Sequence, residues 1–147
     1  MLARVPADRF DWKPHEKSMS VGELAWHVAT MPLYGVQGLK SKVKDVSGIG
    51  PGPVPTADTD LVAALNDSVA QLKAALQATS DETLLKEKFS FVRNGQPILT
   101  FPMIGLIRTV VLNHSVHHRG QLSVYLRLLN IPVPPTYGRS ADESAFG

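Results

Sequence analysis

Apolar residues along this chain recur every three or four positions in three long stretches, which is the spacing of one face of an α-helix. In the most regular stretch, the helix begins after Thr59 or Asp60, either of which can cap its first turn, and runs to about Thr79. The predicted inward face of this helix consists of Leu61, Leu65, Val69, Leu72 and Leu76.

The other two helical stretches lie on either side of it in the sequence. The first begins with a capping box, in which Ser20 is the N-cap and Glu23 the third helical residue. It runs to about Gly38, and we expect a kink or break at Pro32 because proline cannot continue the hydrogen bonding of a helix. The last stretch covers residues 102–129.

The remaining segments are short or rich in turn residues. Residues 45–58 carry three glycines and three prolines, which is typical of a long loop, and residues 80–86 are typical of one short helical turn. Residues 89–100 give a weak hairpin signal around Asn94-Gly95. Because Pro97 would confine such a pair to a sheet edge, we expect an extended loop that pairs only locally.

Three long helices therefore dominate the predicted structure. They predict an all-α fold in a single domain over residues 1–147, an up-down helical bundle with a long Gly/Pro loop after the first long helix.

Composition excludes several classes of function. The 147 residues include no cysteine, so thiolate metal sites and cysteine nucleophiles are absent, and a chain of this length needs no disulfides. The net charge of +2 is too small to argue for nucleic acid or an anionic membrane. No stretch reaches the roughly 18 apolar residues of a membrane span, and no secretory signal is present. We therefore expect a cytoplasmic protein with no nucleic-acid or membrane partner.

Three of the five histidines lie close together in the last helical stretch. His114 and His118 are four residues apart, so a helix places both imidazoles on one face, within reach of a single ion. The inward stripe, apolar at both ends, is polar in its middle at His114, His118 and Gln121. Burying such groups costs free energy unless each finds a partner, and a metal ion would satisfy two imidazoles at once.

One helix can supply only two ligands in this way, and His27 is the best candidate for the third. It shares a face of the first helical stretch with Leu24 and Met31, so it faces the core or its edge. Three imidazoles would leave a coordination position open, and they suit Zn²⁺, Ni²⁺, Cu²⁺ or Fe²⁺. We expect a divalent metal ion, with zinc and nickel as the leading candidates.

Simpler interpretations of these residues stay open. Two histidines four residues apart often share a helix by chance, and His27 alone is more often a hydrogen-bonded core residue than a ligand. His117 lies on the flank of the helix, where it would be exposed or would support the ligands from outside. Gln121 and Tyr125 would shape the pocket, although packing is the simpler role for Tyr125. The residue after the first histidine of the pair is serine, so the glutamate base of zinc proteases is missing.

Two segments and the tail closely resemble the DinB-like family of bacterial proteins. The segments are Ser18–Ala29 and Asn113–Arg127, and the tail is Pro134–Glu143. The resemblance covers nearly the whole chain and implies a four-helix bundle with a divalent metal on three histidines.

Residue by residue, the ligands of that pattern fall on His27, on His114 and on His118, the histidine directly before Arg-Gly-Gln, and His117 is an additional histidine. Relatives include S-transferases that use bacillithiol or mycothiol. The resemblance therefore implies a small-molecule substrate, with a low-molecular-weight thiol as one candidate.

The start of the chain departs from the family pattern. Members usually carry a full helix before the stretch that matches Phe10–Pro14, whereas only about nine residues precede it here. We therefore expect a truncated first helix and an exposed apolar groove. A second copy would cover this groove in a homodimer, unless the chain begins inside its natural gene.

Two functions fit these observations. The first is a metal-dependent enzyme, either a low-molecular-weight-thiol S-transferase, in which the ion would hold the sulfur as thiolate, or a hydrolase. The second is a non-catalytic module that binds a structural metal or a small ligand. An open coordination position favours the first, and the lack of an obvious general base favours the second. A thiol substrate would bring its own nucleophile.

Overall fold

The computed structural model describes residues 1–50 and 52–144. Two 3₁₀ turns, Leu2–Arg4 and Ala7–Arg9, open the chain. The helices and strands that follow are α1 (Val21–Thr30), α2 (Pro32–Ser41), β1 (Val43–Asp45), α3 (Leu61–Gln77), α4 (Asp81–Lys86), β2 (Lys88–Arg93), β3 (Gln96–Pro102), α5 (Met103–Gly105), a π-helical segment (Leu106–Asn113) and α6 (His114–Leu128). The last three follow each other without a break, so one long helix changes its winding from α to π and back to α. In the described part of the chain, none of the helices has both the length and the apolar character that crossing a bilayer requires.

The prediction of an all-α fold is wrong, because a three-stranded mixed sheet accompanies the helices. β2 and β3 are antiparallel and are joined by Asn94 and Gly95, whose φ angles of 50° and 76° are those of a type I′ turn. β1 pairs in parallel with β2 on the other side. Pro97 lies in β3, an edge strand, where its missing N–H removes no necessary ladder bond.

The predicted start of the first helix and its break at Pro32 are confirmed, whereas the helical stretch runs to Ser41 and not to Gly38. The Ser20 hydroxyl accepts a hydrogen bond from the Glu23 N–H at 3.1 Å, and the Glu23 carboxylate accepts one from the Ser20 N–H at 2.6 Å. α1 ends at Thr30, and Pro32 is the first residue of α2, a position where no N–H is needed.

The second long helix begins as the sequence predicts. Of the two candidate caps, Asp60 is the one observed, because its carboxylate accepts the backbone N–H groups of Val62 and Ala63. The helix ends at Gln77, and α4 follows within the predicted range.

The apolar interior joins all of these elements. α1 packs against α3 and α6, while α2 packs against α3 and the π-helical segment. The cluster between α1, α3 and α6 also contains two residues of the N-terminal segment; its members are Leu2, Phe10, Val21, Leu24, Ala25, Ala29, Leu61 and Leu122. The cluster beneath α2 contains Val36, Leu72, Ile107 and Val111. A third cluster, of Phe89, Met103 and Leu106, attaches the sheet to the helices.

Candidate metal centre

Three half-buried histidines from two helices meet where α1 packs against α6. The ligand-capable nitrogens of His27, His114 and His118 all lie within 4.8 Å of one another. The His27 ring centroid is 5.3 Å from that of His114 and 4.6 Å from that of His118. The structure thus brings together the three residues that the sequence singled out, and their role as metal ligands stays a prediction.

The π-helical segment ends at the first histidine of the pair. The backbone N–H of His114 bonds to the carbonyls of Thr109 and Val111, and it bypasses the Val110 carbonyl, which would be its partner in an α-helix. Burial lowers the pKa of His114, and the nearby Val110 carbonyl opposes this shift. The change in winding therefore lies directly beside the triad.

A hydrogen bond to Gln121 orients the His118 ring. Its Nδ1 lies 2.7 Å from the Oε1 of Gln121, an acceptor, so Nδ1 carries the proton and Nε2 presents a lone pair. The pocket-shaping role expected of Gln121 stays a prediction.

The Nε2 atoms of His114 and His118 are 2.7 Å apart, and the tautomers of the two rings decide which of them donates. With the His118 proton on Nδ1, its Nε2 is an acceptor. The donor set of three imidazoles fits a divalent transition metal, since neutral imidazole nitrogen is a preferred ligand of such ions.

The protonated, charged form of each imidazole is disfavoured in the triad. Burial is the largest cause that lowers the pKa of all three histidines. For His27 the pKa falls to about 4, with the neighbouring His118 and His114 adding to the effect. The hydrogen bond to Gln121 opposes the shift at His118 without cancelling it. The triad is therefore neutral at physiological pH, the state in which imidazole binds metals.

A cavity of about 490 Å³ opens onto His27 and His118. Its wall includes charged residues of both signs, Lys13, Glu16, Lys17 and Glu23. The Glu23 carboxylate is nearly buried, and it lies 3.6 Å from the Lys13 ammonium in addition to bonding the Ser20 backbone. A small molecule therefore has access to the histidine triad.

Two of the predicted site residues lie outside the triad. His117 is exposed, with its ring centroid 4.9 Å from that of His118 and 6.5 Å from that of His114. The Tyr125 hydroxyl donates to the Met19 carbonyl at 3.2 Å, and its ring packs edge-on against Trp12 at 5.7 Å. These contacts give Tyr125 a packing role.

Tyr34 is a site residue that the sequence analysis missed. Its ring meets the His27 ring edge-on with 5.8 Å between centroids, and it lines the cavity. Tyr34 follows His27 by seven residues, or two helical turns, and in an unbroken helix this spacing would place both residues on the same face. Because the helix breaks at Pro32, the spacing alone could not show that the two side chains meet.

Comparison with known proteins gives consistent results. The family model described as "DinB family" matches residues 1–145. The chain is 25% identical over 132 residues to the uncharacterized protein YrdA of Bacillus subtilis (strain 168), a match that covers 89% of this chain and 74% of that protein.

Two crystal structures share the fold. One is a DinB-like protein (YjoA) from Bacillus subtilis, with a TM-score of 0.67, 23% identity and coverage of 92% of this chain and 85% of that one. The other is a DinB-like protein from Bacillus cereus ATCC 10987, with a TM-score of 0.70, 24% identity and coverage of 93% and 86%. DinB proteins generally bind metal, and a candidate three-histidine site is present here. The chain belongs to the DinB family.

Proposed function

We propose that this protein is a metal-dependent enzyme that binds a divalent ion through His27, His114 and His118 and acts on a small molecule, with a low-molecular-weight thiol as the leading substrate. The observation that carries the proposal is the convergence of three half-buried imidazoles whose ligand nitrogens all lie within 4.8 Å of one another. Zinc and nickel are the leading candidates for the ion, since imidazole nitrogen is a common ligand of both.

The ion would hold a thiol as thiolate, or acidify a bound water, at neutral pH. The chain's own residues prepare the site for either substrate. Gln121 fixes the His118 imidazole with its Nε2 lone pair inward. Lys17 and Glu16 on the cavity wall offer charges of both signs to a polar substrate.

Thiol transfer is favoured over hydrolysis by the state of Glu23. A hydrolase needs a base for its water, and Glu23 is the nearly buried carboxylate of the cavity wall. Its Oε2 accepts the Ser20 N–H and lies 3.6 Å from the Lys13 ammonium, so this carboxylate already caps α1 and faces a lysine. A thiolate is itself the nucleophile and needs no such group.

The alternative is a non-catalytic module in which the ion is structural or the cavity holds a small ligand. The position of the triad between α1 and α6 supports this alternative, because an ion there would also tie the two helices together.

The experiment compares metal content after purification without a nickel column. We expect close to one ion per chain by mass spectrometry for the unaltered protein and for the control His117→Ala, and loss of the ion in His118→Ala and His27→Ala. Retention of the ion in both ligand variants would contradict the site. Thiol-consumption assays with bacillithiol, mycothiol and a panel of electrophiles then test transfer. Absence of turnover with a metal-loaded protein would favour the non-catalytic alternative.

We further propose a homodimer, and a row of exposed apolar side chains supports it. Leu112, Val116, Val124 and Leu128 are spaced by multiples of four and are 46–56% exposed. Gly120 completes the row. Such a ridge along one helix is what packs into the groove of another helix. This row lies on α6 and the end of the π-helical segment, away from the N-terminal groove expected from the sequence.

A cytoplasmic location stays a prediction from composition.

A further inference from the structure

A second cavity, of about 380 Å³, lies between α2, the sheet and the π-helical segment. Its apolar wall consists of Phe89, Phe91, Leu106 and Val110. Tyr34 lines this cavity and also the cavity at the histidine triad, so the two spaces meet at one side chain.

The apolar wall follows from strand geometry. Phe89 and Phe91 are two residues apart in β2, so both side chains point to the same face of the sheet, and their rings meet edge-on at 5.1 Å between centroids. Phe89 and Leu106 are each 1% exposed, which makes the floor of the cavity part of the protein interior. An apolar floor that opens into a cavity of this size can hold an apolar ligand group.

Two cations stand at the rim of this cavity. Lys40 lies near the end of α2, and Lys44 is the residue of β1 that pairs in register with Phe91. Among residues 1–50 and 52–144, neither ammonium has a carboxylate oxygen within 4.0 Å. The neighbouring Asp45 alternates to the other face of the strand, where its carboxylate accepts the Ser47 N–H at 2.7 Å. The rim therefore carries positive charge that no described side chain neutralises.

We propose that this cavity is a binding site for a small amphipathic organic anion. The apolar part of the ligand lies against Phe89, Phe91 and Leu106, and its carboxylate or sulfonate lies between Lys40 and Lys44. Tyr34 then separates the bound ligand from His27. This binding does not depend on the function proposed for the histidine triad.

The test is isothermal titration calorimetry with octanoate, with 4-phenylbutyrate and with uncharged 1-octanol. We expect one octanoate or one phenylbutyrate to bind per chain, and octanol to bind more weakly. The ratio of the dissociation constants of the two acids shows whether the site prefers an aliphatic or an aromatic ligand. Lys40→Gln/Lys44→Gln should weaken binding of both acids roughly tenfold and leave octanol unchanged, since two partly exposed ion pairs are lost. Val110→Phe, which fills the cavity, should weaken all three.

The matched control is Lys73→Gln/Lys88→Gln, which removes the same charge from α3 and from the opposite face of β2. The proposal is overturned if this control weakens octanoate binding as much as the rim variant does. It is also overturned if octanoate does not bind at millimolar concentration. Titration of metal-free His118→Ala protein separates the two proposals: retained binding supports an independent site even if no metal binds to the triad, and lost binding in the folded variant overturns it.

Discussion

The Nδ1 of His118 and the Oε1 of Gln121 are 2.7 Å apart, one turn along α6. This hydrogen bond places the ring proton on the side away from His114 and His27, so the nitrogen that faces them is free to bind an ion. Gln121 is itself exposed. Its contribution is therefore to the orientation of the imidazole and not to the core.

Replacing Gln121 should accordingly weaken metal binding without unfolding the protein. We expect Gln121→Ala to lower zinc affinity by about 10- to 100-fold, the usual effect of removing a group that orients a ligand. Gln121→Glu keeps an acceptor at this position and should retain the affinity. Competition calorimetry measures both. Gln71→Ala on α3, which loses a similar bond to Asp67, is the control; equal zinc affinities for this control and Gln121→Ala would refute the role.

The pKa of His27 predicts a dependence of stability on pH in metal-free protein. Burial lowers this pKa from 6.5 to about 4 in the folded chain. Between these pH values the unfolded chain binds a proton at His27 and the folded chain does not, so stability rises with pH in this window. We expect the free energy of unfolding to fall as the pH drops from 6.5 to about 4.

Urea unfolding with a chelator present, at pH values above, within and below that window, measures the effect. The free energy of unfolding of His27→Gln should depend less steeply on pH than that of the unaltered protein. Some dependence on pH remains in this variant because the pKa values of His114 and His118 are also lowered. An unchanged slope in His27→Gln would show that residue 27 is not buried as a neutral imidazole.

Two glycines should respond in opposite directions to the same substitution. A Cβ at Gly38 would lie 2.2 Å from Leu106 Cδ2 and 3.0 Å from Phe89 Cε2, so Gly38→Ala should destabilise by about 1–3 kcal/mol through overpacking. A Cβ at Gly120 meets no atom within 4 Å, so Gly120→Ala should stabilise α6 by about 0.5–1 kcal/mol. Thermal unfolding compares them, and a stable Gly38→Ala protein would mean that α2 is not tightly packed on the third cluster.

The proposed homodimer predicts a specific effect of charge on the outer row of α6. Val116→Lys should convert the protein to a monomer, because a lysine in the centre of the row would lose its hydration opposite a second copy. Val69→Lys is the control, since Val69 on α3 is 47% exposed against 46% for Val116, and its predicted inward position was wrong. Light scattering after gel filtration reports the mass. Dimers in both variants, or a monomeric unaltered protein, would rule out this interface.

The sequence predicted those features that local chemistry determines. Ser20 and Glu23 define a helix start by themselves, and the spacing of His114 and His118 defines a shared face. His27 could be proposed as their neighbour because an apolar setting made an unpaired imidazole costly. The hairpin could also have been predicted, because Asn94-Gly95 is a strong turn signal and Pro97 is compatible with an edge strand.

Features that depend on distant contacts could not be predicted. β1 has only three residues, and its strand conformation follows from its pairing with β2, so that Lys44 gives no local strand signal. The π-helical winding before His114 is equally hidden, because the buried positions Leu106, Ile107 and Val111 suit an α-helix as well. This change in winding and the position of Tyr34 beside His27 therefore required the structure.

The position of the histidine triad between α1 and α6 also bears on how long such a chain survives in a cell. An ion bound there would tie the two helices together, so a copy without it should open more often at this junction. Proteases cleave the opened form. The population of this opened form falls as the concentration of the ion that binds the native state rises. Metal starvation should therefore shorten the lifetime of the protein, and turnover would remove the copies that cannot work.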